Sequence, residues 1–187
     1  MLELDLSTFP VLKTERLVLR ELNLNDGEAL YTMRSDERVM EHIGRKRANT
    51  IQDALDLINR ILKDRKNNEG ITWGLTLHNN ETLIGTVGYY RLQKEHFRGE
   101  IGYLLSFDHW GKGLMSEALN KAVQFGFNEM GFHSIEAITD PANKRSWKVL
   151  EQNGFLREGM FKENFYWNGK FYDSAVYSKL GNDQDRS

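Results

Sequence analysis

A strand, a tight turn and a helix follow one another in the middle of the chain, and this pattern constrains the fold more than any other. Residues 101–105 alternate as in an extended strand, and an apolar pattern of helical period begins at Leu114. Gly111 and Gly113 flank Lys112 in the turn. Glycines let the backbone N–H groups of such a turn point at a common centre, and the helix N-terminus adds about half a positive charge. The pattern predicts a phosphate-binding loop, with an ordinary glycine turn as the alternative.

Two common phosphate-binding motifs do not fit this turn. The Gly-x-x-x-x-Gly-Lys-Ser/Thr spacing of a Walker loop is absent, and the Gly-x-Gly-x-x-Gly pattern of dinucleotide-binding proteins is incomplete. The kind of phosphate ligand must therefore be inferred from other parts of the chain.

Length and composition predict one globular domain. At 187 residues, with 40% hydrophobic and 28% charged residues, the chain is long enough to bury a substantial core. We expect a single domain over residues 1–180, followed by a polar tail at 181–187. The sequence contains no run of about 18 apolar residues, and its first residues lack the basic start and apolar core of a signal peptide. We therefore expect a cytoplasmic protein without a membrane-spanning segment.

Charge and residue usage exclude several classes of function. The formal net charge of −2 provides no basic field that would attract nucleic acid. The absence of cysteine excludes disulfides, thiolate nucleophiles and cysteine-ligated metals. The five histidines are scattered without the close spacing of a zinc site. We expect neither nucleic-acid binding nor a metal.

The hydrophobic periodicity predicts an α+β fold. Successive strands imply antiparallel pairing and later strand–helix–strand units imply some parallel pairing, so we expect a mixed, mostly antiparallel central sheet flanked by helices. Thr50 and Asp53 predict a capping box at a helix start, Asn168-Gly169 predicts a hairpin turn, and the charged segment 36–47 predicts a solvated loop. The predicted strands are 12–21, 71–77, 82–92, 100–105, 134–139, 155–161 and 171–180, and the predicted helices begin near 25 and span 50–66, 114–130 and 144–152.

Three short motifs, together with this element order, identify a family resemblance. They are Trp110-Gly111-Lys112-Gly113 after a strand, Asn143-Lys144-Arg145-Ser146, and Asn153-Gly154-Phe155. The chain resembles the GNAT N-acetyltransferase family, and within it the RimJ/RimL-type branch, from Thr14-Glu15-Arg16-Leu17 to the final strands. The resemblance implies the GNAT acyl-CoA N-acyltransferase fold and acetyl-CoA as cosubstrate.

In the family, the glycine loop binds the pyrophosphate of acetyl-CoA through a pattern Gln/Arg-x-x-Gly-x-Gly/Ala. Asp108 stands at the first position of that pattern here, and Lys112 adds positive charge. The resemblance also implies that strand 100–105 pairs with the pantetheine arm and offers a backbone N–H to the thioester carbonyl. The cofactor-binding residues expected from the resemblance are Tyr103, Leu104, Leu105, Trp110, Gly111, Lys112, Gly113, Leu114, Met115 and Asn143.

The resemblance assigns two catalytic residues. Glu100 matches the strand glutamate that acts as general base, for which the alternative is an exposed strand glutamate. Many members of the family use a tyrosine as general acid, but this sequence has Leu150 at that position. Ser146 matches the serine that the RimJ/RimL-type branch offers instead, with local backbone bonding in a first helical turn as its alternative. Asn143 is expected to contact CoA, or only to cap its helix.

The expected reaction is acetyl transfer from acetyl-CoA to a primary amine, and the branch suggests the N-terminal α-amine of a ribosomal or other protein. The alternatives are a small amine, such as a polyamine, an amino acid conjugate or an antibiotic, and a non-catalytic CoA-binding module. The resemblance is compatible with a homodimer. No residue pattern in the sequence names the acceptor.

Overall fold

The computed structural model describes residues 1–181, and within them the chain forms eight strands in one sheet and five α-helices. The strands are β1 (Leu12–Lys13), β2 (Leu17–Glu21), β3 (Ile71–Leu77), β4 (Asn80–Gln93), β5 (Arg98–Leu105), β6 (Ser134–Thr139), β7 (Leu156–Trp167) and β8 (Lys170–Leu180). The helices are α1 (Gly27–Ser35), α2 (Glu37–Met40), α3 (Ile51–Lys66), α4 (Leu114–Asn128) and α5 (Lys144–Gln152). Most of the predicted tail, residues 182–187, lies outside the described residues.

The sheet has the strand order β1-β2-β3-β4-β5-β6-β8-β7. Every neighbouring pair is antiparallel except β5 and β6, which run parallel. This pairing confirms the expected mixed, mostly antiparallel sheet. The parallel pair arises because α4 connects β5 to β6 as a crossover.

Apolar side chains form two clusters on the two faces of the sheet. Helices α4 and α5 cover one face, where Trp73, Tyr89 and Phe132 are almost fully buried. Helices α1 to α3 cover part of the other face. Strand β5 contributes to both clusters, because Ile101 packs on the first face and Leu104 on the second. Glu100, four residues before Leu104, shares its face.

Local sequence signals account for several boundaries. Thr50 and Asp53 form the expected capping box of α3. The segment 36–47 was expected to be a solvated loop, and this is wrong in part because it contains α2, whose Val39 and Met40 are buried. Strand β7 continues six residues past the expected end at 161, through a register shift between Phe161 and Phe165.

No helix within residues 1–181 is long and apolar enough to cross a membrane.

Candidate active site

A cleft opens where β5 and β6 diverge. The two parallel strands pair over only three residues, ending at Glu100 opposite Glu136. Strand β5 then continues to Leu105 with β4 on one side, while its other edge has no strand partner in the part of the chain that the structure describes. Backbone N–H and C=O groups on such an edge can bind a ligand that carries amide groups.

A tyrosine and a serine face each other across this cleft. The Tyr103 hydroxyl on β5 lies 2.7 Å from the Ser146 hydroxyl in the first turn of α5, and it also donates to the Ser146 carbonyl at 3.3 Å. Burial raises the pKa of Tyr103 well above its usual range, so the phenol is protonated at neutral pH. The pair therefore offers hydroxyl donors on the sheet face opposite to that of Glu100, because side chains 100 and 103 alternate along β5.

Glu100 belongs to a row of polar residues on the sheet face shared with α1 to α3. Tyr90, Glu100, Glu136 and Ser178 lie in register on the adjacent strands β4, β5, β6 and β8. The Glu100 side chain is only 7% exposed. Burial raises its pKa, although Arg91 and Tyr90 lower it in part. A carboxylate with a raised pKa is a stronger base toward a substrate ammonium.

Arg91 is aimed at Glu100 by an unusual backbone conformation. Its φ is 50°, in the left-handed region, beside a register shift between Tyr90 and Gln93. From there Arg91 Nη1 donates to Glu100 Oε2 at 2.9 Å, and the arginine remains 61% exposed. Backbone strain of this kind costs about 1–3 kcal/mol and concentrates at functional sites. No residue pattern in the sequence predicts this contact.

The glycine turn ends in a helix whose N-terminus is free of side-chain caps. Gly111 and Gly113 have φ of 74° and 75°, which residues with a Cβ rarely adopt. The N-cap of α4 is Gly113. Because glycine has no side chain, it leaves the N–H groups of the first turn without a side-chain acceptor from the cap position. The N–H groups of this turn can therefore bind an anion such as a pyrophosphate. The Trp110 ring beside the turn donates from Nε1 to the Leu105 carbonyl at 2.9 Å.

An ion pair braces the turn from outside. Arg16 Nη1 donates to the Lys112 carbonyl at 2.9 Å, and Arg16 Nη2 lies 2.6 Å from Glu117 of α4. Glu117 also accepts from the Thr14 hydroxyl. The motif Thr14-Glu15-Arg16-Leu17, at which the family resemblance begins, thus supports the turn through Arg16 and Thr14.

A surface groove of about 550 Å³ extends from the turn along α4. Its lining includes Gly113 and Ser116 together with Lys13 and Lys121. Two lysines beside an uncapped helix N-terminus favour a ligand with several phosphates. No group of three or more His, Asp or Glu suited to a metal occurs within residues 1–181.

The remaining residues expected at the site have other roles as well. Leu104, Leu105, Leu114 and Met115 are buried, so only their backbone groups are available to a ligand. Asn143 caps α5 by accepting from the Ser146 N–H at 3.0 Å.

Two positions depart from the pattern of the family. Leu150, which replaces the usual tyrosine, is fully buried in the core. Asp108 is exposed, and its charge raises the pKa of Arg38 in part. The Asp108 carboxylate therefore lies near the positive charge of Arg38, and it provides no positive charge that could bind a phosphate.

Comparison with known proteins identifies the family. A family model described as "Acetyltransferase (GNAT) domain" matches residues 16–156. The N-acetyltransferase YoaA of Bacillus subtilis, itself uncharacterised, is 35% identical over 170 residues, which is 91% of this chain and 96% of YoaA. This chain belongs to the GNAT acetyltransferase family, and it is an acetyl-CoA-dependent N-acetyltransferase.

Solved structures agree with this assignment. A GNAT acetyltransferase from Bacillus anthracis has a TM-score of 0.82 and 29% identity, covering 91% of this chain and 98% of its own. The ribosomal-protein-S5-alanine acetyltransferase from Vibrio fischeri has a TM-score of 0.77 and 26% identity, covering 93% and 98%. The expected GNAT fold is confirmed.

Proposed function

We propose that this protein acetylates the N-terminal α-amine of a protein, with Glu100 as the general base. The observation that carries the proposal is the position of Glu100, buried and with a raised pKa, where β5 and β6 begin to diverge. The open β5 edge and the glycine turn both lie further along the chain from this point. An amine that reaches Glu100 is thus next to a ligand bound along β5. We also propose that residues 1–180 act as one catalytic domain.

Each part of the cleft has a task in this reaction. Acetyl-CoA, when bound, supplies the acetyl group as a thioester. Glu100 removes a proton from the substrate ammonium, directly or through a water, so that the nitrogen lone pair can attack the carbonyl carbon. A backbone N–H of β5 stabilises the oxyanion. As the C–S bond breaks, the hydroxyl pair of Tyr103 and Ser146 hydrogen-bonds to the leaving sulfur or gives it a proton.

The glycine turn supports binding rather than chemistry. Gly111, Lys112 and Gly113, with the first turn of α4, offer backbone N–H groups to the pyrophosphate. Arg16 and Glu117 hold that turn in shape. Trp110 and the backbone of Asn143 are further candidates for contact with the CoA arm.

A protein N-terminus is favoured over a polyamine by the charge beside the base. The most exposed ionic group next to Glu100 is Arg91, whose positive charge disfavours a second or third ammonium group on the acceptor. A solved relative is a ribosomal-protein-S5-alanine acetyltransferase. Spermidine is the competing acceptor, because the matching relatives include a spermidine N(1)-acetyltransferase.

A panel of acceptors tests this proposal. Short peptides with free α-amines, the same peptides with blocked α-amines, and spermidine are incubated with acetyl-CoA, and CoA release is followed together with the mass of each product. We expect acetylation of the free α-amine and little turnover of spermidine. Faster turnover of spermidine than of any peptide contradicts the protein acceptor. Binding of acetyl-CoA without turnover of any amine contradicts catalysis itself.

A further inference from the structure

Two glutamates face each other at the point where the cleft between β5 and β6 begins. Glu100 of β5 and Glu136 of β6 are the last register partners of the parallel pair. Neighbouring strands lie about 4.8 Å apart, and the side chains of opposed residues share one face of the sheet. Like charges in this arrangement repel and destabilise the sheet. The two carboxylates therefore need a cation that compensates at least one of them.

Arg98 supplies this cation to Glu136. It lies two residues before Glu100 on β5, and therefore on the same face of the sheet. Its Nη2 donates to Glu136 Oε2 at 2.5 Å, and the arginine and glutamate side chains are only 33% and 16% exposed. The Arg98 Nε is buried and has no hydrogen-bond partner within residues 1–181. The contact with Glu136 therefore fixes the position of the guanidinium, and Glu136 is neutralised by it.

Glu100 has its own set of neighbours. Arg91 of β4 donates to Glu100 but is 61% exposed, so water screens much of its charge. Burial is the main cause that raises the pKa of Glu100, and the charge of Glu136 raises it further, whereas Arg91 and Tyr90 lower it. Burial also raises the pKa of Tyr90, which the charge of Arg45 lowers in part. How strongly Glu136 acts on Glu100 depends on how completely its own charge is compensated.

We propose that Arg98 and Glu136 are positioning residues for the general base. Arg98 holds Glu136 as a paired carboxylate, so that Glu100 is the carboxylate left to take the proton from the acceptor ammonium. A carboxylate that is bound to a guanidinium accepts a proton less readily, because the nearby positive charge favours its ionised form. The pair thus prevents Glu136 from competing with Glu100 for that proton. This inference rests on the proposed role of Glu100 as general base.

The two positioning residues act on the base in opposite directions. Glu136→Gln removes a carboxylate and leaves the cation of Arg98 beside Glu100, which lowers the pKa of the base. Arg98→Gln leaves the Glu136 carboxylate uncompensated, which raises the pKa of the base. Because the base works deprotonated, the acid limb of the kcat/KM profile moves to lower pH in the first variant and to higher pH in the second. We expect each shift to be about one pH unit, which changes kcat/KM about tenfold on the acid side of the limb.

The test measures kcat/KM against pH for the amine that the wild type turns over fastest. The variants are Glu136→Gln, Arg98→Gln, the double variant with both changes, and Arg98→Lys. One acceptor is used throughout, so its own ionisation affects every profile equally. We expect the double variant to return the limb close to its wild-type position, since it carries neither charge. Arg98→Lys should keep the limb in place, because lysine preserves the cation beside Glu136.

Glu21→Gln is the matched control. Glu21 is also paired with an arginine, since its Oε1 lies 2.9 Å from Arg65 Nε, but it belongs to β2, three strands away from β5. The control removes the same charge from the chain as Glu136→Gln does, and its acid limb should stay in place.

The opposite signs separate positioning from a purely structural role, because a loss of folded protein lowers activity at every pH without moving the limb. The inference is overturned by a limb that stays in place in both single variants, moves the same way in both, or does not return in the double variant. If Arg98→Gln is too unstable to assay, the direction of the Glu136→Gln shift decides alone. These results leave the proposed function intact as long as Glu100→Gln remains slow. A Glu100→Gln protein with the wild-type rate and profile overturns the proposed role of the base, and the inference falls with it.

Discussion

Replacing Gly111 by alanine tests whether the turn before α4 binds acetyl-CoA through its backbone. Gly111 has a φ of 74°, and a Cβ built there meets no atom within 4 Å. The substitution adds no clash, so its cost is the left-handed backbone alone, about 1–2 kcal/mol. If the turn keeps its shape, the free energy of unfolding falls by this amount. If the turn relaxes, its N–H groups move and the affinity for acetyl-CoA falls about tenfold, because 1.4 kcal/mol is a factor of ten.

Two other glycines provide matched controls. Gly169, in the turn between β7 and β8, has a φ of 80° and also has open space around a Cβ. Gly169→Ala should therefore lower stability by a similar amount without changing the affinity for acetyl-CoA. Gly159 has the same open space without a positive φ, so Gly159→Ala should change neither quantity.

Urea unfolding measures the stability of each variant, and titration calorimetry measures its dissociation constant for acetyl-CoA. The cost of the left-handed conformation must appear in one of these two quantities for Gly111→Ala. The reasoning is refuted if Gly111→Ala matches Gly159→Ala in both.

Three further predictions concern the base, the hydroxyl pair and a helix cap. Arg91 lowers the pKa of Glu100, so Arg91→Gln raises that pKa further; because the base works deprotonated, the acid limb of the kcat/KM profile moves to higher pH. Tyr103→Phe and Ser146→Ala each lower kcat while leaving acetyl-CoA binding intact, and the double variant is no slower than the slower single variant because the two hydroxyls act as one unit. Thr50→Ala removes the capping box of α3 and lowers the free energy of unfolding by about 1 kcal/mol, measured in urea, with unchanged kcat.

Each of these predictions has a clear contrary result. If the acid limb of the kcat/KM profile of Arg91→Gln stays in place or moves to lower pH, Arg91 does not lower the pKa of the general base. Multiplicative losses in the double hydroxyl variant show two independent roles. A Thr50→Ala protein as stable as the wild type shows that the α3 cap contributes nothing measurable.

Elements governed by local signals could be predicted from the sequence. Strand β6 and helix α5 have the expected bounds, because Ser134–Thr139 alternates regularly and Asn143 caps the helix that follows. The capping box of α3 was equally visible in Thr50 and Asp53. These features depend on residues within one turn or strand of each other.

Features that depend on distant contacts could not be predicted. The expected strand 12–21 is broken into β1 and β2. In the bend between them, the Thr14 hydroxyl and the Arg16 N–H donate to the carboxylate of Glu117, which lies about a hundred positions away. The contact of Arg91 with Glu100 requires a bulge that no residue pattern marks.

The hydroxyl pair shows the same limit of the sequence. Ser146 was identified as a candidate, but its partner Tyr103 lies 43 positions earlier and was expected only to bind the cofactor. Only the packing of α5 against β5 brings the two side chains together.

The most direct test of the central claim is the turnover of Glu100→Gln at neutral pH, measured beside its dissociation constant for acetyl-CoA. Glu95→Gln is the matched control, because Glu95 is an exposed glutamate in the turn Lys94–His96. The claim that Glu100 is the general base predicts a kcat about 10²-fold lower or more, an unchanged dissociation constant, and a control like the wild type. A Glu100→Gln protein that acetylates its acceptor at the wild-type rate would contradict it.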